Sequence, residues 1–300
     1  MEFQSLKDGT CFYFQGPVNI GYLQNGEEGM LIDAGIDASA MKKVLKRLRQ
    51  EDLPLTHLFI THAHSDHYGG ANYLQRQQEV HTAAPILEAA ILQHPILEPL
   101  YLFGGNDPLP ELRNKFLEGA PIKIDQMIDE GFCQIGSFAI EAILLPGHSY
   151  YQLGLLYQGI FYAGDSYFGE KQLEKHGIPY LTDTQAAMDS LHKLQRITCQ
   201  GAVPGHGTFE ENFQSTVQAN LEYHKQLLDW LEEEIGKKTD GMSHEDIIAS
   251  MCATYHVRTQ QLSQWLLFRT AVTAYLTALL KQNRITSEIR NYRWFFKAAS

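Results

Sequence analysis

Thr61-His62-Ala63-His64-Ser65-Asp66-His67-Tyr68-Gly69-Gly70 gathers three histidines and an aspartate into six consecutive residues. It follows the apolar run Leu58-Phe59-Ile60, which reads as a strand feeding its C-terminal end into a turn. In an extended segment side chains two apart point the same way, so His62 and His64 can aim their imidazoles at one point. The turn that follows re-aims Asp66 and His67 toward a neighbouring point. Gly69-Gly70 then gives the backbone the freedom to leave tightly into a helix. An isolated H-x-H pair arises by chance and a lone histidine is usually ordinary, but Asp66 and His67 directly after the pair make chance a poor account. Imidazole and carboxylate donors suit zinc and also iron, manganese or nickel, so the stretch reads as part of a transition-metal site with room for two adjacent ions.

Three later segments repeat one pattern of apolar run, glycine and donor: Leu144-Leu145-Pro146-Gly147-His148-Ser149, Phe161-Tyr162-Ala163-Gly164-Asp165-Ser166 and Ala202-Val203-Pro204-Gly205-His206-Gly207. With them in view, the chain resembles the metallo-β-lactamase superfamily. Its T-H-x-H-x-D-H-x-G-G, P-G-H-[ST], G-D and G-H-G elements occur here in order, over roughly the first 210 residues. The resemblance implies an α/β protein of the αββα sandwich type, with two sheets face to face and helices on both outer sides. It also implies two divalent metal ions, zinc ahead of iron or manganese. His62, His64 and His148 would hold the first, Asp66, His67 and His206 the second, with Asp165 bridging. Asp66 and Asp165 are then the catalytic carboxylates, and a metal-bound hydroxide is the nucleophile, because bound metal lowers the pKa of water from about 15.7 toward roughly 7. Asp33, in Leu31-Ile32-Asp33-Ala34-Gly35, matches an early L-I-D-x-G element and is expected to support the metal-binding loop by hydrogen bonding. From the residues alone it reads nearly as well as a turn former.

Three hundred residues suggest one large domain with a small appendage. A formal net charge of −11 disfavours a general electrostatic grip on nucleic acid. Cys11, Cys133, Cys199 and Cys252 lie far apart without C-x-x-C spacing, which suits buried thiols in a reducing cytosol better than a disulfide framework. The first residues lack the cationic start and apolar core of a signal peptide, and no stretch approaches the roughly 20 apolar residues that span a bilayer. The expectation is a soluble, cytoplasmic protein with a small-molecule substrate and no membrane partner.

Periodicity supplies a coarse map. Short strands fill residues 10–33, with a hairpin loop at Asn25–Gly29. An amphipathic helix runs over 37–50 with Met41, Val44, Leu45 and Leu48 on one face, and a short helix over 70–77. His57, His81 and His94 read as ordinary. Residues 84–131 mix proline, glycine and aromatics; they read as a long loop over the metals, with a helix at 86–93 and a shorter one around 111–117. Tyr68, Tyr101 and Phe103 are the candidates for substrate contact. Strands are expected at 132–135, 138–145, 154–157, 159–163 and 201–204, with helices at 183–196 and 209–235. Residues 236–241 read as a linker, which divides the chain into a catalytic domain, 1–235, and a C-terminal module, 241–300. The module opens with the S-x-x-D cap Ser243–Asp246, continues through a helical stretch containing Leu262 to Leu279, and ends in the aromatic-rich 289–296. It resembles the small helical or winged-helix-like modules of some superfamily members. With no basic recognition face, it is expected to pack on the main domain or to join two copies as a homodimer.

The reaction class implied is metal-assisted hydrolysis of a small acyl substrate. Among superfamily branches the ligand block resembles glyoxalase II and related thioester hydrolases most. A thiolate, whose conjugate acid has a pKa near 8.5, leaves without being protonated, and no dedicated acid stands beside the block. Lactones or other esters need the same ligands and a different pocket. A nuclease or phosphodiesterase needs a basic track, and a diiron redox protein a different partner domain. A metal-binding regulatory protein would retain the fold without turnover.

Overall fold

Strands that are apolar on both faces need cover on both sides, and the first sheet has it. The computed structural model, which describes residues 1–7 and 9–299, forms this sheet from β1 (Glu2–Lys7), β2 (Cys11–Gln15), β3 (Ile20–Asn25), β4 (Glu28–Ile32), β5 (His57–Phe59), β6 (His81–Pro85) and β7 (Gln126–Ile128), in that spatial order. β1 to β4 form an antiparallel meander, with the hairpin between β3 and β4 where it was expected; β4 to β7 run parallel. Parallel neighbours require crossovers. These are α1 (Ala38–Gln50), then α2 (Ser65–Tyr68) with α3 (Ala71–Gln77), then α4 (Glu88–Gln93) with α5 (Leu97–Leu102). Leu31, Leu58 and Ile60 pack under Met41, Val44, Leu45 and Leu48 of α1, while their chain neighbours Met30, Ile32 and Phe59 face the second sheet. Asp37 fixes the start of α1 by accepting from the Ser39 and Ala40 N–H groups at 2.9 and 3.1 Å.

The second sheet contains β8 (Gly131–Ile135), β9 (Phe138–Leu144), β10 (Leu153–Tyr157), β11 (Ile160–Gly164) and β12 (Gly201–Pro204), ordered β12-β11-β10-β9-β8. Only β11 and β12 pair in parallel, and α6 (Glu170–His176) and α7 (Thr184–Leu194) lie in the chain between them. Its inner residues Ile140, Leu153, Leu155, Tyr162 and Val203 complete the core between the sheets. Ile143, Phe161 and Ala163 face outward under α7 and the first turns of α8 (Phe213–Gly236), against Leu191, Leu194, Phe213 and Val217. These four layers are the αββα sandwich.

Beyond α8 come β13 (Met242–Ser243), α9 (His244–Thr254), α10 (Leu262–Lys281), β14 (Ile285–Arg290) and β15 (Arg293–Ala298). Ser243 Oγ caps α9 by accepting from the Asp246 N–H at 3.2 Å. The aromatic-rich end is half of a hairpin whose two-residue turn, Asn291-Tyr292, has φ of 51° and 60° as tight hairpins require. Leu227, Leu228, Leu231 and Ile235 of α8 share one core with Ile247 and Met251 of α9 and with Val272, Tyr275 and Leu279 of α10. That core also takes in Leu181 and Ala187, so it is continuous across residues 236–241. Further along, Leu266 of α10 packs on Leu102, Leu112 and Leu117, and Arg269 Nη2 donates to the Leu102 carbonyl at 2.6 Å.

Residues 84–131 differ from the sequence reading. The helix around 111–117 is a single 3-10 turn at Pro110–Leu112, and 97–102, read as loop, is α5. Pro99 lies in the first turn of α5, where a missing N–H costs nothing. All four thiols are free; Cys11 is buried and the others half-buried. Among the described residues no helix is long and apolar enough to cross a membrane.

Candidate metal centre

The donors collect where the C-terminal ends of strands from both sheets meet. Asp33, just after β4, donates its N–H to the Phe59 carbonyl at 2.8 Å, and Leu153 of the second sheet donates to the Thr61 carbonyl at 3.1 Å. The loop carrying His62 to His67 is therefore stitched to both layers. Asp33 has φ of 67°, a left-handed conformation that aspartate tolerates better than most residues. From there its carboxylate accepts from Thr61 N–H at 2.8 Å, Thr61 Oγ1 at 2.9 Å and His67 Nδ1 at 2.7 Å. Asp33 thus sits at a left-handed turn and hydrogen-bonds both Thr61 and His67.

All seven anticipated donors converge. The donor atoms of His62, His64 and His148 lie within 4.8 Å of one another, as do those of Asp66, His67 and His206, and those of His62, His67 and Asp165. Asp165 stands between the groups: Oδ1 is 3.2 Å from His67 Nε2, and Oδ2 is 3.3 Å from both His148 Nε2 and His206 Nε2. His206 Nε2 is also 3.3 Å from Asp66 Oδ2. His62 Nε2, His67 Nε2 and Asp165 Oδ1 are buried without a hydrogen-bond partner. Such atoms are costly unless something fills the gap between them. Nitrogen and carboxylate oxygen in this arrangement fit divalent transition-metal ions.

Charge divides the centre in two. Burial holds His62 well below its ordinary pKa, His64 down to about 4 and His148 down to about 3, so these imidazoles keep their lone pairs at neutral pH. Burial also pulls on His67 and His206, but carboxylates outweigh it. Asp165, Asp33 and Asp66 hold His67 well above its ordinary value, and Asp165 and Asp66 hold His206 up to about 10. Reciprocally, burial opposes ionisation of Asp66 and Asp165. The neighbouring His67 and His206 overcome it and keep Asp66 down to about 2 and Asp165 well below its usual range. A cation bound here competes with protons for the same lone pairs.

Close approach explains one glycine. A Cβ on Gly205 would lie 2.0 Å from Asp165 Oδ1 and 2.9 Å from His67 Cε1. Gly205→Ala is accordingly expected to push these donors aside and weaken zinc binding by at least tenfold in a chelator competition, with far-ultraviolet circular dichroism unchanged. Unaltered affinity would show that the centre has slack.

The substrate-contact candidates separate. Tyr101, 40 % exposed, lines a cleft beside His64. Tyr68 is buried behind the ligands, and its hydroxyl accepts from the Gly119 N–H at 2.9 Å. Phe103 packs with Leu102, Leu112 and Leu266. His94 is exposed, and His57 is buried against Thr56 Oγ1 at 2.7 Å; both lie outside the donor groups.

Two residues near the donors escaped the sequence reading. Tyr180 sets its ring edge-on to His64 and His148, and its carbonyl accepts from His148 Nδ1 at 3.1 Å. Glu88 is buried, and its carboxylate accepts from Ala63 N–H at 3.0 Å, Ser149 Oγ at 2.8 Å and Tyr151 N–H at 2.9 Å. It thus ties the His64 loop to the His148 loop. The only signal for it was an acid on an otherwise apolar helix face with Ala89 and Leu92.

The chain is similar to several known proteins. An atrochrysone carboxyl ACP thioesterase of Aspergillus fumigatus is 27% identical over 210 residues, 68% of this chain and 55% of that protein. A hydroxyacylglutathione hydrolase of Vibrio cholerae is 30% identical over 136 residues, 45% of this chain and 42% of that one. The chain spans about half the length of the curated relatives it matches. Among solved structures, a beta-lactamase domain protein from Burkholderia ambifaria superposes with a TM-score of 0.76 at 16% identity, over 99% of this chain and 95% of that one. A metallo-beta-lactamase family protein from Thermus thermophilus gives 0.74 at 16% identity, over 97% and 99%. Both alignments run through the C-terminal module, so the module belongs to the shared architecture. Residues 13–206, which carry every donor named above, match the metallo-beta-lactamase superfamily as a whole, and this chain is a member of it.

Proposed function

We propose that the protein is a hydrolase that uses two divalent metal ions, most simply zinc, to cleave a small acyl thioester. The observation that carries this reading is two donor groups with Asp165 between them, and buried donor atoms left unpartnered in the middle. Bound ions supply an acidified water and a Lewis acid for the carbonyl oxygen. His62, His64 and His148 would hold one ion and Asp66, His67 and His206 the other, with Asp165 offering an oxygen to each.

The chain's own part is orientation. His67, His148 and His206 each turn Nδ1 to an oxygen acceptor: Asp33 at 2.7 Å, the Tyr180 carbonyl at 3.1 Å and the Pro17 carbonyl at 2.7 Å. A proton kept on Nδ1 leaves the Nε2 lone pair facing inward. His64 differs, presenting Nδ1 toward His148 Nε2 at 2.8 Å. In the overall reaction water adds to the acyl carbon and the C–S bond breaks, giving a carboxylic acid and a thiol.

A thiolate leaving group needs no acid, and the carboxylate that lines the cleft, Glu88, is already engaged by three donors. Relatives named as a thioesterase and a hydroxyacylglutathione hydrolase support the same class. The test is metal analysis beside a panel of thioester, lactone, phosphodiester and β-lactam substrates. Two ions per chain are expected, with thioester turnover lost to a chelator and restored by zinc. Turnover of lactone or phosphodiester alone would replace the substrate assignment, and a folded protein that takes up no divalent ion would remove the whole reading.

A further inference from the structure

A cleft of about 270 Å3 lies beside the centre, with His64 among the residues that line it. This lies near the small end of the roughly 300–1,000 Å3 typical of ligand pockets. Its walls are Leu87 just before α4, Ile91 of α4, Tyr101 of α5 and Tyr150 from the loop after His148, with Ser149 and Thr182 beside them. Leu87, Tyr101 and Tyr150 are 49, 40 and 75 % exposed, so large apolar side chains stand open to water around one opening beside the reactive centre. Grouped exposure of this kind marks a binding surface.

The wall's charge is equally informative. No lysine or arginine lines the cleft, and its single acid is Glu88. With both Glu88 oxygens engaged by loop donors, the carboxylate is fixed in place. A second anion entering here would be desolvated beside a like charge with no lysine or arginine side chain in the wall to offset it.

We propose that this cleft receives the acyl part of the substrate, and that the acyl group is an uncharged, apolar chain or ring. This rests on the hydrolase reading above and narrows it. Substrates whose acyl group carries a carboxylate are disfavoured, and the thiol portion lies on the open side of the centre.

The test uses the zinc-loaded full chain and acetyl, butanoyl, hexanoyl, octanoyl and glutaryl thioesters of N-acetylcysteamine. kcat/KM is expected to climb roughly fourfold for each methylene that enters the cleft, then to level off once it is full. The glutaryl thioester should fall at least tenfold below the butanoyl. Leu87→Asp, at a position open enough to spare the fold, should shrink the octanoyl-to-acetyl ratio by at least tenfold. Equal kcat/KM across the series, or a glutaryl thioester as good as the butanoyl, would overturn the proposal. If no thioester turns over, the thioester assignment fails on its own, and calorimetric binding of the same compounds still decides the cleft: tighter binding of octanoyl than of acetyl supports it, and equal binding sinks it.

Discussion

Asp165→Ala is expected, on the proposed two-ion thioesterase reading, to strip both ions from the protein and to lower thioester turnover by about a thousandfold or more, since on that reading several kcal/mol of transition-state stabilisation depend on the ions. Asp165 is the one side chain whose oxygens face both groups, at 3.2 Å from His67 and 3.3 Å from His148 and His206. Removing it leaves His67 and His206 confronting each other without the carboxylate between them. His64→Ala should be as damaging to turnover, because it deletes a donor from the group next to the cleft. His94→Ala, on an exposed side chain outside the groups, should match the wild type in metal content and rate. Elemental analysis together with initial rates reads all three; three equally active variants would dissolve the assignment.

Asp33→Ala is expected to hurt stability and metal binding together. Its carboxylate serves three buried donors, among them His67 Nδ1. Deleting one partner of a buried pair typically costs about 3–5 kcal/mol, because the other is left without compensation. Loss of a group that orients a ligand costs about 10–100-fold in metal affinity. Asp33→Asn should fall between, since asparagine tolerates the left-handed backbone and can accept the Thr61 N–H, but its NH2 cannot accept from His67. Urea unfolding with a zinc chelator competition separates the two effects. Wild-type values in both would mean that Asp33 only turns the chain.

The donors were legible because each announces itself locally, as a histidine or aspartate that follows an apolar run and a glycine. The ends of β5, β9, β11 and β12 needed only to be brought together. The layer order was not legible from periodicity and came through the family resemblance. Glu88 and Tyr180 were invisible for a different reason: their roles exist only across distance. Glu88 takes its donors from residues 63, 149 and 151, and nothing in its own neighbourhood implies them. α5 was lost to its Pro99, and the terminal hairpin to a turn, Asn291-Tyr292, that contains no glycine.

Arg269 grips the far carbonyl of the short helix that bears Tyr101, while Leu266 braces the same helix from behind. The tail of the chain is therefore a buttress for the chamber wall. Sequence drift in α10, which supplies none of the donor groups, can tighten or slacken that chamber, so a lineage can retune which molecules fit while the donors stay untouched.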